Sequence, residues 1–358
     1  MERPPCSGPV RACERWGAGG SADSYAEPVT PDPRSVRCHV VTGKGGTGKT
    51  TVAAALALAL AADGHHVLLI ETEGRQGIAQ LFDTPPLPYE ERRVAVARGG
   101  GEVKALAIDV EAAFLEYLDM FYNLKRAGYA LRKMGAIDFA TAIAPGLRDV
   151  LLTGKIKEAV TRREHGRPVY DAVVVDAPPT GRITRFLNVT NEVAGLARSG
   201  PIKTQSDGVM AVFRSPQTAV HLVTLLEDMP VQETADAIAD LREAGLPVGS
   251  VIVNMASEPL LPAAALARAA DGGLTAADLT SALSAAELPG GDQLAEGLVA
   301  EAVEHARRWT AQDALRDDVE ALGRPTVELP LSVGPIDLGC LFELAERLEG
   351  HLSTEAAA

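Results

Sequence analysis

The strongest constraint on this chain is one octapeptide. Gly43-Lys44-Gly45-Gly46-Thr47-Gly48-Lys49-Thr50 satisfies the spacing G-x-x-x-x-G-K-[ST]. Glycines without a Cβ let successive backbone N–H groups close around phosphate oxygens. A helix beginning near Lys49 adds its positive dipole end. In such a loop the lysine, here Lys49, reaches the β- and γ-phosphates, and the hydroxyl, here Thr50, binds Mg²⁺. The loop needs a strand before it and a helix after it, and both flanks qualify. Arg37–Thr42 reads as a short buried strand, and Thr50–Asp63 as a helix of Ala, Leu and Val stopped by Gly64. Val67–Ile70 follows as a second apolar strand. Strand, loop, helix, strand is a βαβ unit, and its apolar strands predict a parallel sheet covered on both faces.

The nucleotide-binding candidates are therefore Gly43, Lys44, Gly45, Gly46, Thr47, Gly48, Lys49, Thr50 and the adjoining Thr51, with ATP/ADP and Mg²⁺ as the expected ligands. The fold class is α/β, a P-loop NTPase with a mostly parallel central sheet flanked by helices. Further strands are expected at Val103–Ile108, Ala172–Val175, Val220–Leu225, Val248–Val253 and Pro325–Leu329, mostly separated by helical patterns such as Pro230–Glu243. Two stretches break the alternation. From about residue 111 to 165 the chain reads as helix after helix, with Phe114, Leu118, Phe121 and Tyr122 on one face, which predicts a helical subdomain inserted in the sheet domain. From about 259 to 322 it is Ala-rich, acidic and helical, its last part, Asp292–Leu322, fitting one long helix. Residues 1–34, rich in Pro, Gly, Ser and charge, read as a disordered tail, and residues 35–358 as the NTPase domain.

The second chemical signal is Val173-Val174-Val175-Asp176, an apolar strand ending in a carboxylate. Emerging beside the loop, Asp176 would share Mg²⁺ with Thr50. Composition narrows the partners. The chain has 358 residues and a formal charge of −14. That balance argues against nucleic acid, whose binding rests on neutralising phosphates, and against charge-driven docking on an anionic membrane. The most apolar window, Val52–Ala62, is too short to span a bilayer, so no stable membrane insertion is expected, and a soluble cytoplasmic protein is. Cys6, Cys13, Cys38 and Cys340 form no C-x-x-C pair, so no zinc or redox motif is suggested.

Lys44 has no fixed role in an ordinary loop of this kind. Yet K-G-G-T-G-K-T resembles the deviant P-loop of dimeric ATPases that include the ParA/MinD and ArsA-like proteins. Asp176-Ala177-Pro178-Pro179-Thr180-Gly181-Arg182 resembles the D-T-A-P-T-G-H switch of the ArsA-like family, which includes the ATPase that targets tail-anchored proteins; it departs at Ala177, Pro178 and Arg182. Glu71-Thr72-Glu73-Gly74-Arg75-Gln76-Gly77 stands where that family has S-T-D-P-A-x-N, and Phe82, Glu233-Thr234 and Val251-Ile252-Val253-Asn254 continue the likeness. The resemblance covers about Arg37 to the end. It implies an ATPase acting as a homodimer or as a heterodimer with a paralogous ATPase. Lys44 would cross to the partner's nucleotide, a cation near the γ-phosphate that, with Lys49, makes the catalytic pair of lysines. Glu73 would orient the attacking water in place of the family's Asp. Asn254 would contact adenine, or else cap a strand-end turn, and Pro330 would lie in the loop over the base.

What the ATPase would drive stays open among three classes. It is a targeting factor or chaperone for a hydrophobic client protein, the energising subunit of an anion or metalloid exporter, or a poorly hydrolysing, nucleotide-gated scaffold in a heterodimer. The first is preferred, because the cysteine set expected of a metalloid pump is absent from the sequence. For that reading Met120, Phe121, Tyr122, Leu131 and Met134 would line an apolar groove; the alternative is that they pack the helices together.

Overall fold

The computed structural model describes residues 36–122, 146–188, 201–289, 292–332 and 334–355. The expected tail lies outside this set, as do Leu131, Met134 and the side chains of Met120, Phe121 and Tyr122.

The strands are built first from burial. β1 (Cys38–Gly43), β7 (Ala172–Asp176) and β8 (Thr218–Thr224) are buried at every position. Such strands are stable only at the centre of a sheet with both faces covered. That is where they lie, in the order β10-β9-β8-β1-β7-β2-β4-β3. The others are β2 (His66–Glu71), β3 (Arg92–Val96), β4 (Glu102–Ala107), β9 (Val248–Ala256) and β10 (Thr326–Pro330). Neighbours pair in parallel except β3 with β4. β3 is a strand the sequence pattern did not single out. Arg92-Arg93 leave only three apolar residues, Val94-Ala95-Val96, and the strand sits half-exposed at an edge, so it lacks the long buried apolar run that marks a central strand. β5 (Arg163–Glu164) and β6 (Arg167–Pro168) form a small separate hairpin at the end of the stretch read as helical.

Helices cover both faces. On one, α1 (Lys49–Leu60), α2 (Gly77–Leu81) and α11 (Leu338–Glu355) close over Val41, Val67, Leu69, Val174, Val223 and Ile252. On the other, α3 (Val110–Tyr122), α4 (Leu147–Thr161), α5 (Thr180–Leu187), α6 (Pro201–Phe213) and α7 (Asp228–Glu243) close over Val40, Leu68, Ile70, Val173, Val175 and Val220. The alternation of the strands' side chains assigns each residue to its layer. Phe114 of α3 packs against this second core.

A thinner layer follows β9. It contains α8 (Ala263–Ala270), α9 (Ala276–Ala285) and α10 (Asp292–Glu320), the last a single helix of 29 residues. Its own core is Leu266, Ala269 and Ala306, flanked by Leu261, Leu274, Ala302 and Trp309. Arg316 of α10 stacks on Trp309 at 4.4 Å and donates to both carboxylate oxygens of Glu328 on β10, at 2.7 and 3.2 Å, tying the layer to the sheet. Among the described residues no helix is long and apolar enough to cross a membrane.

Candidate functional site

The parallel strands β1, β2, β7, β8 and β9 all end on one side of the sheet, and the sequence-predicted residues collect there. In open α/β sheets this is where ligands sit. β1 runs into the loop at Gly43, where a Cβ would lie 2.2 Å from the Val223 carbonyl oxygen of β8. No side chain fits, so the loop leaves the sheet by a route open only to glycine. It re-enters a helix at Gly48, which caps α1 in the left-handed region at φ 82°. A Cβ at Gly48 would strike the Asn254 amide.

Between these two points the loop folds over itself. The Thr47 hydroxyl donates to the Lys44 carbonyl at 2.9 Å, and the Lys49 ammonium donates to the same oxygen at 3.2 Å. From β9 the buried Asn254 amide donates to the Thr47 carbonyl at 2.9 Å. Asn254 therefore braces the loop from behind. Pro330 closes β10, beside Ala256 of β9, and Leu331 N–H donates to the Ala256 carbonyl at 2.9 Å. Thr51 is half-buried on the first turn of α1.

The Thr50 hydroxyl donates to Asp176 Oδ2 at 2.7 Å, so the two expected Mg²⁺ ligands are already side by side. Burial pushes the Asp176 carboxyl up to about 6, against the pull of the Thr50 bond and the Lys49 charge, with Glu71 and Glu73 adding to the rise. A buried carboxylate that resists ionisation in this way gains from a cation. The donors are hard oxygens, as Mg²⁺ requires. Among the described residues no group of three His, Cys, Asp or Glu could hold a metal. The ion would take its remaining ligands from phosphate and water, the usual Mg²⁺ arrangement in phosphate-transfer sites. Lys49 is itself half-buried, and desolvation lowers its pKa, partly offset by Asp176 and Glu73.

Glu73 lies in the loop after β2, in an ion pair with Arg75 at 3.4 Å. Lys44 points to α7 of its own chain, 2.8 Å from Glu233. Both partners are about one-third exposed, and such a pair contributes only about 0–1 kcal/mol.

Sequence reading missed the connections behind these residues. The Thr72 hydroxyl donates to the Asp176 backbone carbonyl at 2.7 Å, binding the Glu73 loop to β7. The Gln76 side chain donates to the Leu87 carbonyl at 3.1 Å and accepts the Leu87 N–H at 2.7 Å. Two residues on, the Tyr89 hydroxyl donates to Glu116 of α3 at 2.5 Å, and Lys155 of α4 donates to Glu116 at 3.0 Å. A chain of contacts thus runs from the loop beside Asp176 to α3 and α4. Its only sequence signal is polar residues at unremarkable loop positions.

Known proteins place this geometry in a family. The family of anion-transporting ATPases (ArsA) matches residues 36–205. The ATPase BagA of Mycobacterium tuberculosis is 56% identical over 332 residues, 92% of this chain and 96% of that protein. The ATPase GET3 of Kluyveromyces lactis is 27% identical over 267 residues, 63% of this chain and 75% of the relative. The GET3 of Lachancea thermotolerans is 28% identical over 272 residues, 65% of this chain and 76% of the relative. A phosphate-type loop on β1, a buried carboxylate on β7 and an alignment spanning nearly the whole of a relative agree with one another, and the chain belongs to the ArsA-type ATPase family.

Proposed function

We propose that this chain binds ATP with Mg²⁺ at the β1–α1 loop and hydrolyses it as a dimer of two ATPase chains, using nucleotide state to handle a hydrophobic client protein. The observation that carries the nucleotide reading is the Thr50–Asp176 pair, 2.7 Å apart beneath a glycine loop. Mg²⁺ bound there would neutralise charge on the phosphates. The chain's own groups do the rest. Backbone N–H groups from Gly45 to Thr50 hold phosphate oxygens. Lys49 gives up its contact with the Lys44 carbonyl and turns to the β- and γ-phosphates. Glu73 orients water. Asn254 and the segment at Pro330 mark the side on which the base sits.

Lys44 is the residue proposed to act on the partner's nucleotide. Its weak, half-exposed pair with Glu233 supports this, because a phosphate displaces such a partner at small cost. The client reading draws on the contact chain from Gln76 through Leu87 and Tyr89 to Glu116. It offers a physical route by which an altered phosphate site repositions α3, the helix that leads toward the segment expected to meet a client. Energising an anion exporter is the alternative that the family's name suggests.

A second reading has its own observation. Glu73 is engaged by Arg75, and its loop carries Gly74 where the resembling pattern has proline. A slowly hydrolysing, nucleotide-gated scaffold would tolerate both. Mg²⁺-dependent hydrolysis by the purified chain, alone and with a paralogue, beside Lys44→Ala, separates the two. Turnover lost in the variant supports the dimeric ATPase. Tight nucleotide binding without turnover under any condition supports the scaffold.

A further inference from the structure

β2 ends in a carboxylate that the reading above leaves without work. Glu71 is 2% exposed and stands in register with Asp176 of β7. Burying a carboxylate is costly unless it is hydrogen-bonded. Glu71 accepts the Gln76 N–H at 2.5 Å and the Ile78 N–H at 3.3 Å. Both donors lie past the loop that Glu71 opens. Its side chain is therefore a chord across Thr72–Arg75, the segment that carries Glu73.

The loop needs such a chord. Gly74 and Gln76 both occupy the left-handed region, at φ 66° and 59°. Gln76 is held there despite its Cβ, which costs conformational energy unless the surroundings fix it. The bond from Thr72 to Asp176 O fixes one end of the loop, and the Gln76–Leu87 clamp fixes the other. Proline, with φ near −65°, fits nowhere at Gly74, so ring rigidity is not an option for this backbone.

We propose that Glu71 is a positioning residue. By accepting the Gln76 and Ile78 amides it sets where the Glu73 carboxylate stands relative to the phosphate site. This rests on the reading of Glu73 as the residue that orients water. A displacement of about 1 Å in such a group lowers turnover by up to about a hundredfold.

The test is a double-mutant cycle on the full-length protein, read by single-turnover hydrolysis that resolves residual rates, with nucleotide affinity and thermal midpoint measured alongside. Glu71→Gln replaces one acceptor oxygen by an NH₂ group that cannot accept. It should lower the rate by roughly tenfold or more while nucleotide affinity changes by less than about twofold. In a Glu73→Gln background the same change should cost almost nothing further. Glu71→Asp keeps both acceptors on a shorter arm and repeats the comparison if Glu71→Gln fails to fold. If either Glu71 variant slows hydrolysis equally with and without Glu73, Glu71 acts by another route and the proposal falls. If Glu73→Gln alone leaves the rate unchanged, the reading of Glu73 falls first and takes this proposal with it.

Discussion

Two of the alanine-rich helices of this molecule, α1 and α9, use that residue for opposite ends. α1 (KTTVAAALALAL) is buried from Val52 to Ala59, between the sheet and α11. There alanine is a matter of space, because Ala53, Ala54, Ala55, Ala57 and Ala59 let neighbouring elements approach closely while Val52, Leu56 and Leu58 fill the room that remains. α9 (AADLTSALSA) has no buried residue at all. There alanine serves the backbone, as the residue that loses least on becoming helical. α9 also needs a start signal that α1 lacks. Thr275 and Asp278 form a reciprocal capping box, whereas α1 begins on Gly48 with no side-chain cap. Tertiary packing holds the first helix and local chemistry the second.

The largest test enlarges one alanine in each. Ala55→Phe overfills the α1 layer and should destabilise the protein by about 3 kcal/mol or more in denaturant unfolding. Ala282→Phe on exposed α9 should stay within about 0.5 kcal/mol. Equal losses would end the comparison.

Acid should distinguish the regions next. His39 of β1 is fully buried, Nδ1 lying 3.1 Å from His221 Nε2, and burial pushes its pKa down to about 4. The unfolded chain takes up this proton near pH 6.5 and the folded chain only near 4. The stability is thus complete above 6.5 and lost as pH falls through that window, on the order of 3 kcal/mol. A His39→Gln variant should show a flatter pH dependence between 6.5 and 4. The α9 cap should outlast this. Thr275 holds the Asp278 carboxyl below its ordinary range, so its contribution fades only below the unfolded value near 3.8. Amide exchange in α9 that accelerates with the sheet at pH 5 would contradict the separation.

Thr275→Ala is the smallest change. It should cost about 1 kcal/mol, seen as faster exchange over residues 276–285 with an unchanged global midpoint.

The same division explains what was legible in the sequence. The β1–loop–α1 unit declares itself because its residues are constrained by neighbours a few positions away. Lys49, Thr50 and Asp176 followed from spacing and from an apolar run that ends in a carboxylate. Glu71 ends such a run too, yet nothing in its vicinity shows that its oxygens meet amides five and seven residues on. Lys44 and Glu233 are 189 positions apart, so their pairing is a property of the folded sheet. β3 was missed for a related reason. As a half-exposed edge strand it shows charge where a buried strand shows valine.

Those edges have a consequence for how copies of this chain can meet. An open sheet exposes unpaired N–H and C=O groups along its two outer strands, an invitation to recruit strands from other molecules. One margin here runs antiparallel to the rest, with Arg92 and Arg93 turned to solvent and Arg93 tied back to Glu102 at 2.9 Å. The opposite margin ends in Pro330, which has no N–H to give, and its Glu328 is taken by Arg316. Charge blunts one rim, and a missing donor shortens the other. Both margins are thereby poor templates for strands from other molecules.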